Sequence, residues 1–294
     1  MNIWFYISLL ILQFPKHSDL SKYIFEKPLM GTTFRVVVFH QSERKAQAAA
    51  EKAFERINHL NSIFSNYFLE SEVMNISTSP KKVSTDLWHL LQISKGLYNH
   101  SNGKFDVTIG PISKIWRRAI RRGEEPSHSE IAKARSLVNF KYLKMDKESM
   151  TVSFKRENML FDFGGIAKGY AVDEAYKVLM DNGVYYALVD GGGDIYAGNH
   201  PKDGWNIVLQ NTDSTLTLNN QAVASSGSLY QSIQIDNLNF SHIVNPKNGV
   251  GIKNSETINI TGPSCTIADA LATIISISAT SNILKEEYSE YKKL

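Results

Sequence analysis

Residues 232–260 read SIQIDNLNFSHIVNPKNGVGIKNSETINI. Inside them Ser232-Ile233-Gln234-Ile235, Phe240-Ser241-His242-Ile243-Val244 and Thr257-Ile258-Asn259-Ile260 are short runs rich in β-branched and aromatic residues. Such runs, broken by polar turn formers, read as strands. Asp236-Asn237 is a turn signal between the first two. Upstream, Ile207-Val208-Leu209 and Ala222-Val223-Ala224 read the same way, which makes residues 205–262 a β-meander or antiparallel sheet. The first half has another rhythm. After a strand-like Phe34–Phe39, apolar residues return at helical spacing from Glu43 onward: Ala46, Ala49, Ala50, Ala53, Phe54, Ile57, Leu60 and Phe64. Ser84 is a candidate N-cap for a second helix, with Leu87, Leu90, Leu91 and Leu97 inward and Gly103 past its end. A third helix is expected over 166–182, stopping at Gly183 before a strand at 185–190, and a last one follows residue 262. Helices gathered early and strands gathered late argue for α+β, antiparallel sheets with packed helices, against a doubly wound parallel sheet.

A chain of 294 residues can bury a large core. A net charge of +3, spread over both signs, gives no polybasic face for nucleic acid, so Arg117-Arg118 and Arg121-Arg122 read as a solvated loop or helix face. The single cysteine, Cys265, excludes an intramolecular disulfide and a cysteine-built metal site. Asn2–Phe14 is an apolar run of secretory length without a basic start, a small-residue cleavage site or a cysteine to lipidate. It is read as an export signal or anchor-like segment within residues 1–20, against a buried N-terminal segment, ahead of one domain over 25–285.

Several stretches carry chemistry-bearing residues. In the last helix, Asp269 and Thr273 stand one turn apart, a carboxylate beside a hydroxyl suited to Mg²⁺. Thr266-x-x-Asp269 equally fits a capping box that needs no metal. Asp162-Phe163-Gly164-Gly165-Ile166-Ala167-Lys168-Gly169-Tyr170 runs into a helix, where bare backbone amides and Lys168 can meet a phosphate. The same run reads as a tight strand-to-helix turn with a solvated lysine. Asp190-Gly191-Gly192-Gly193-Asp194 is either a turn needing positive φ or a place where something packs on backbone. Ser225-Ser226-Gly227-Ser228, after a strand, binds phosphate or caps a turn. His242, before Asn245-Pro246, is a general-base candidate or an ordinary histidine. Tyr67 and Phe105 are read as ring-stacking side chains or as core.

Taken in order, Met30-Gly31-Thr32-Thr33, Phe105-Asp106-x-Thr108-x-Gly110-Pro111, the Asp162–Tyr170 run, Asp190–Asp194, His242-Ile243-Val244-Asn245-Pro246 and Ala268-Asp269-Ala270-Leu271-Ala272-Thr273 resemble the ApbE family of FAD:protein FMN transferases. The resemblance spans roughly residues 25–280. It implies a tandem T-fold-like α+β structure. It also implies Mg²⁺ on the FAD pyrophosphate, held by Asp269 and Thr273 with main-chain oxygens near Gly165 and Ala272. Met30, Tyr67, Lys104, Phe105, Asp106, Asp162, Lys168 and Ile243 match positions lining the FAD site, and His242 a catalytic histidine, with Asp162 the alternative base.

The implied reaction is attack of an acceptor protein's Thr or Ser hydroxyl on the FMN phosphorus, with release of AMP. The implied acceptor carries an Asp/Ser-Gly-Ala-Thr/Ser-like segment and is a candidate subunit of a membrane redox complex. The implied place is the bacterial periplasm or inner membrane. Two departures stand out: Asn245 replaces a common Asp, and Ala272 a frequent Ser. FAD pyrophosphatase activity and non-catalytic flavin binding are the competing readings.

Overall fold

The computed structural model describes residues 20–209, 214–227, 232–235, 238–253 and 256–294, without the side chains of 232–242 and 253. The Asn2–Phe14 run and the Asp236-Asn237 turn lie outside the described residues. The chain begins with β1 (Ser21–Leu29), β2 (Thr32–His40) and α1 (Glu43–Phe64). β3 (Lys81–Lys82), α2 (Thr85–His100), α3 (Gly110–Arg122), α4 (His128–Arg135), β4 (Leu143–Asp146) and β5 (Thr151–Phe154) follow. α5 (Ala167–Asp181) leads to β6 (Tyr186–Asp190) and β7 (Ile195–Ala197). The strand-rich part holds β8 (Trp205–Val208), β9 (Thr215–Leu218), β10 (Gln221–Ser226), β11 (Ser232–Ile235), β12 (Leu238–Val244), β13 (Gly251–Lys253) and β14 (Ile258–Gly262). α6 (Cys265–Ser278), α7 (Asn282–Glu286) and β15 (Lys292–Lys293) close it.

The main sheet has the order β1-β2-β6-β7-β10-β14-β15, and each neighbouring pair is antiparallel. The expected α+β class is what the chain adopts. Long-range pairing explains the order: β2 meets β6, with Val36 opposite Val189, only after the helices between them have returned the chain to the sheet. Two strands, α1 and α5 packed together, and two strands make the first half of this layer. Smaller sheets, β11-β12-β13, β3-β5-β4 and β8-β9, flank it.

The helix layer forms for the reasons its periodicity gives. Every stripe residue named for α1 is buried, and Ser42 accepts the Lys45 amide as its N-cap. Ser84 caps α2 through the Leu87 amide. Gly183, at φ 78°, follows α5. The core joins Phe34, Val36 and Val38 of β2 to α1, to Ala171, Val172 and Ala175 of α5, and to Leu271, Ile274 and Ile275 of α6. At the base of this layer Arg56 of α1 forks onto Asp86 of α2 and also reaches Glu174 of α5, while the Tyr170 hydroxyl donates to Asp86.

The strand-like Phe34–Phe39 is not the first strand: β1 precedes it, and Met30-Gly31 forms the turn between β1 and β2. Both residues have positive φ, 49° and 77°, as a two-residue type I′ hairpin requires. β1 escapes a reading based on apolar runs because it is an edge strand whose alternate positions are exposed. Of the loop and helix-face alternatives for Arg117-Arg118 and Arg121-Arg122 the chain adopts the helix: α3 is a full amphipathic helix, with Pro111 in its first turn and Gly123 at φ 72° as its stop. Among the described residues no helix is long and apolar enough to cross a membrane.

Candidate functional site

The site is built where α5 and α6 begin. The first turn of a helix leaves amides unpartnered, and here each helix supplies a carboxylate to the other. Asp173 of α5 accepts the Ser264 hydroxyl (2.8 Å), the Cys265 and Thr266 amides (both 2.9 Å) and the Thr266 hydroxyl (2.6 Å) at the start of α6. In return Asp269 of α6 accepts the Gly169 amide of α5 at 3.2 Å. Both carboxylates lie at the positive ends of helix dipoles. The exchange requires bare backbone at the crossing: a methyl group on Gly169 would sit 2.4 Å from the Cys265 carbonyl oxygen. The capping-box reading of Thr266 and Asp269 therefore fails. Ser264 is the N-cap, accepting the Ile267 amide, and Asp269 turns towards α5.

Three charges converge behind that crossing. Lys168 ion-pairs with Asp194, which has no exposed surface. Asp194 Oδ1 has no hydrogen-bond partner among the described residues. Burial pushes the Asp269 carboxyl well up, and the Asp194 charge pushes it further. Burial works against the Lys168 ammonium, but Asp194 and Asp269 outweigh it and hold its pKa above the ordinary value. The Cys265 thiol is fully buried and raised well above its usual range, which removes it as a nucleophile.

Asp194 reaches this place through the glycine run, where both earlier readings hold. Asp190 accepts the amides of Gly192 and Gly193, whose φ values are 82° and 104°. Thr32 also packs on the backbone, since a methyl on Gly192 would lie 2.2 Å from its hydroxyl oxygen.

The Asp162–Gly165 turn forms the opposite wall. A methyl on Gly165 would lie 3.0 Å from Thr273 Oγ1, so the turn and the last helix touch. Asp162 Oδ1 accepts the Gly164 amide at 2.9 Å and Oδ2 accepts Arg117 at 2.7 Å. Arg117 also donates to Asn66 Oδ1 (3.0 Å) and stacks 4.6 Å above the Tyr67 ring. The solvated-arginine reading is thus wrong for Arg117. Its spacing on an amphipathic helix could have marked it as part of a cationic face, but its partners lie 45 and 51 positions away.

The remaining expected residues are spread wider. Met30 sits in the β1–β2 turn, Lys104 is half-buried, and Phe105 is in the core, so its ring is not a free stacking platform. Asp106 is buried, with its oxygens taken by the Thr108 amide and hydroxyl and the Phe140 amide; burial raises its carboxyl. It borders a cavity of about 210 Å³ together with Tyr98, Arg135 and Lys247. Ile243 is buried on β12, a strand that packs against both α3 and α6. The His242 backbone belongs to β12; its side chain lies outside the described residues. Asn245 Oδ1 accepts the Lys247 amide and so shapes its own turn. Ser225 and Ser226 lie within β10, not after it, and Ser225 donates to Asn259; Ser228 lies outside the described residues.

Among the described residues no three His, Cys, Asp or Glu side chains form a metal-binding group. What converges is an oxygen-rich corner: Asp269 and Thr273 one turn apart on α6, the Gly165 backbone against Thr273, and the Asp194 charge near Asp269. Mg²⁺ commonly takes one or two carboxylates and completes its shell with substrate phosphates and water, so this donor set fits it.

A family model described as the ApbE family matches residues 30–288. The chain belongs to the ApbE family. A Chlamydia muridarum relative, the FAD:protein FMN transferase, is 27% identical over 270 residues, covering 88% of this chain and 85% of that protein. A Klebsiella pneumoniae protein of the same description is 27% identical over 248 residues, covering 81% and 76%. The crystal structure of the ApbE protein from Thermotoga maritima superposes with a TM-score of 0.79 at 26% identity, covering 90% of this chain and 89% of that one. The apo Pseudomonas stutzeri flavinyl transferase ApbE gives 0.77 at 25%, covering 88% and 85%.

Proposed function

We propose that this chain is an FAD:protein FMN transferase, an enzyme that moves FMN from FAD to a Thr or Ser hydroxyl of an acceptor protein and releases AMP. Family membership and the descriptions of its relatives support the activity. The observation that carries the site is the touch of Gly165 on Thr273, which brings the glycine turn and the Asp269 helix to one face.

In this reading the Gly164-Gly165 amides and Lys168 receive the FAD diphosphate. Asp269, Thr273 and the main-chain oxygens of Gly165 and Ala272 would hold Mg²⁺, with Asp194 as the neighbouring anion; the ion would supply positive charge for the pyrophosphate and the departing phosphate. The acceptor oxygen forms its bond to the FMN phosphorus as the bond to the AMP phosphate oxygen breaks. The hydroxyl proton passes to His242. Asp162 suits that task less, because both its oxygens already accept hydrogen bonds; it orients the turn, with Tyr67 beside it for a flat ring. Met30, Lys104, Phe105, Asp106 and Ile243 complete the FAD surroundings. The Asn2–Phe14 run supports export to the periplasm or attachment at the inner membrane, where the acceptor would be a subunit of a redox complex.

The test is incubation of the purified chain with FAD, MgCl₂ and a candidate acceptor subunit carrying an Asp/Ser-Gly-Ala-Thr/Ser-like segment. The expected result is an acceptor band fluorescent for flavin and an equal amount of AMP. Free FMN with an unlabelled acceptor would make the chain a pyrophosphatase, and intact bound FAD a carrier.

A further inference from the structure

The loop after α1 carries a ridge of three consecutive large side chains, Tyr67, Phe68 and Leu69, all exposed, with Tyr67 at 70%. The base of this loop is pinned to α1 and to itself. The Ser65 amide donates to the Asn61 carbonyl (3.1 Å), the Glu72 amide to the Ser62 carbonyl (3.1 Å) and the Ser71 hydroxyl to the Ser65 carbonyl (2.5 Å). The tip has one outside support. Among the described residues Arg117 is the one group beyond the loop that hydrogen-bonds to or stacks on residues 66–69. An exposed aromatic side chain keeps its rotamer freedom unless something holds it, and ordering such a side chain on binding costs about 0.5–1.5 kcal/mol.

Arg117 can supply that hold because its own helix is fastened. Ile112 and Trp116 of α3 are buried, and the Trp116 indole donates to the Gly249 carbonyl at 2.8 Å. A guanidinium offers separate N–H donors and a flat cationic face, which a lysine ammonium does not. Arg117 uses each of these. Nη1 donates to Asn66 Oδ1 (3.0 Å), Nη2 donates to Asp162 Oδ2 (2.7 Å), and the guanidinium carbon lies 4.6 Å from the Tyr67 ring centre, within cation–π range. We propose that Arg117 is a positioning residue: anchored on Asp162, it fixes the Tyr67 ring so that the flavin stacks on the ring face turned away from the guanidinium. This rests on the transferase reading above, in which Tyr67 meets the flat ring of FAD. The exposure of Tyr67 leaves that second face open. Asp162 holds the Gly164 amide through its other oxygen, so loss of Arg117 frees the ring platform without releasing the diphosphate turn.

The experiment titrates the full chain with FAD, and with ADP as a probe that has the diphosphate but no flavin ring, by calorimetry in MgCl₂. R117Q, R117K, Y67L and R117Q/Y67L are compared with the parent. R117Q should bind FAD about tenfold more weakly and ADP within about twofold of the parent. At saturating FAD its bound flavin should fluoresce more strongly, because a flavin stacked on a fixed tyrosine is quenched. R117K keeps the charge without the fork and should bind FAD about threefold more weakly than the parent. In the Y67L background R117Q should change FAD affinity by less than about twofold, since the ring it holds is gone. Additive effects of the two substitutions, an equal loss of ADP affinity, parent-like flavin emission in R117Q, or full recovery by lysine overturns the proposal. Failure of the parent chain to bind FAD would instead strike the transferase reading.

Discussion

The two walls of the candidate site are held by opposite means. At the α5–α6 crossing the charges are buried and reciprocally bonded, with Asp173 fixing one helix and Asp269 the other. At the α3 rim Lys114, Arg121 and Arg122 face water, while Arg117 is anchored on Asp162 and Arg118 pairs with Glu130. Chemistry on a diphosphate needs charges already fixed in a low-dielectric corner, where they act without reorganising. Recognition of a second protein needs accessible charge and apolar surface. The crossing should therefore lose function or fold when touched, whereas the rim should tolerate change and lose only affinity.

The largest effect should come from Asp269→Ala. We expect turnover to fall about 10³-fold and its Mg²⁺ dependence to vanish, measured by AMP release across a metal titration. Next comes Gly169→Ala, which drives a methyl into the Cys265 carbonyl; urea unfolding should show a loss of about 3 kcal/mol. Asp173→Ala leaves the start of α6 without its acceptor and should cost about 2 kcal/mol in the same assay. If those two variants proved as stable as the parent, the contrast between the walls would be lost. At the rim, Arg117→Gln should weaken FAD binding about tenfold, about 1.4 kcal/mol, with the melting temperature nearly unchanged.

The smallest effect concerns Asp86, under the same helix layer. Burial works to raise its carboxyl, but Arg56 and the Tyr170 hydroxyl outweigh it and hold it below the ordinary 3.8. A depressed folded pKa gives stability that is complete above the unfolded value and lost as pH falls through the folded one. Denaturant titrations at about pH 5 and pH 2 should show a drop in stability in the parent that is smaller in Asp86→Asn.

Much of this could be read locally. α1, α2 and α5 end where caps and periodicity place them, because a cap acts within about four residues of its helix. Asp269 and Thr273 share a helix face for the same reason. The glycine run showed that backbone was needed bare, without showing that Thr32 covers it. Arg117 was misjudged and Asp173 missed, since nothing within a few positions of either residue reports its partner.

From the order of its residues alone came the α+β class, the main helices, the bare glycines and the family resemblance, all products of short-range periodicity or of motifs that stand intact in the chain. Tertiary structure alone decided that the Gly169 amide faces Asp269 across 100 positions, that Asp173 caps a helix 92 positions ahead, and that Arg117 joins a surface ridge to Asp162. A side chain's rotamer range and charge are its own, but its partner exists only once the sheet has closed and brought distant segments into contact.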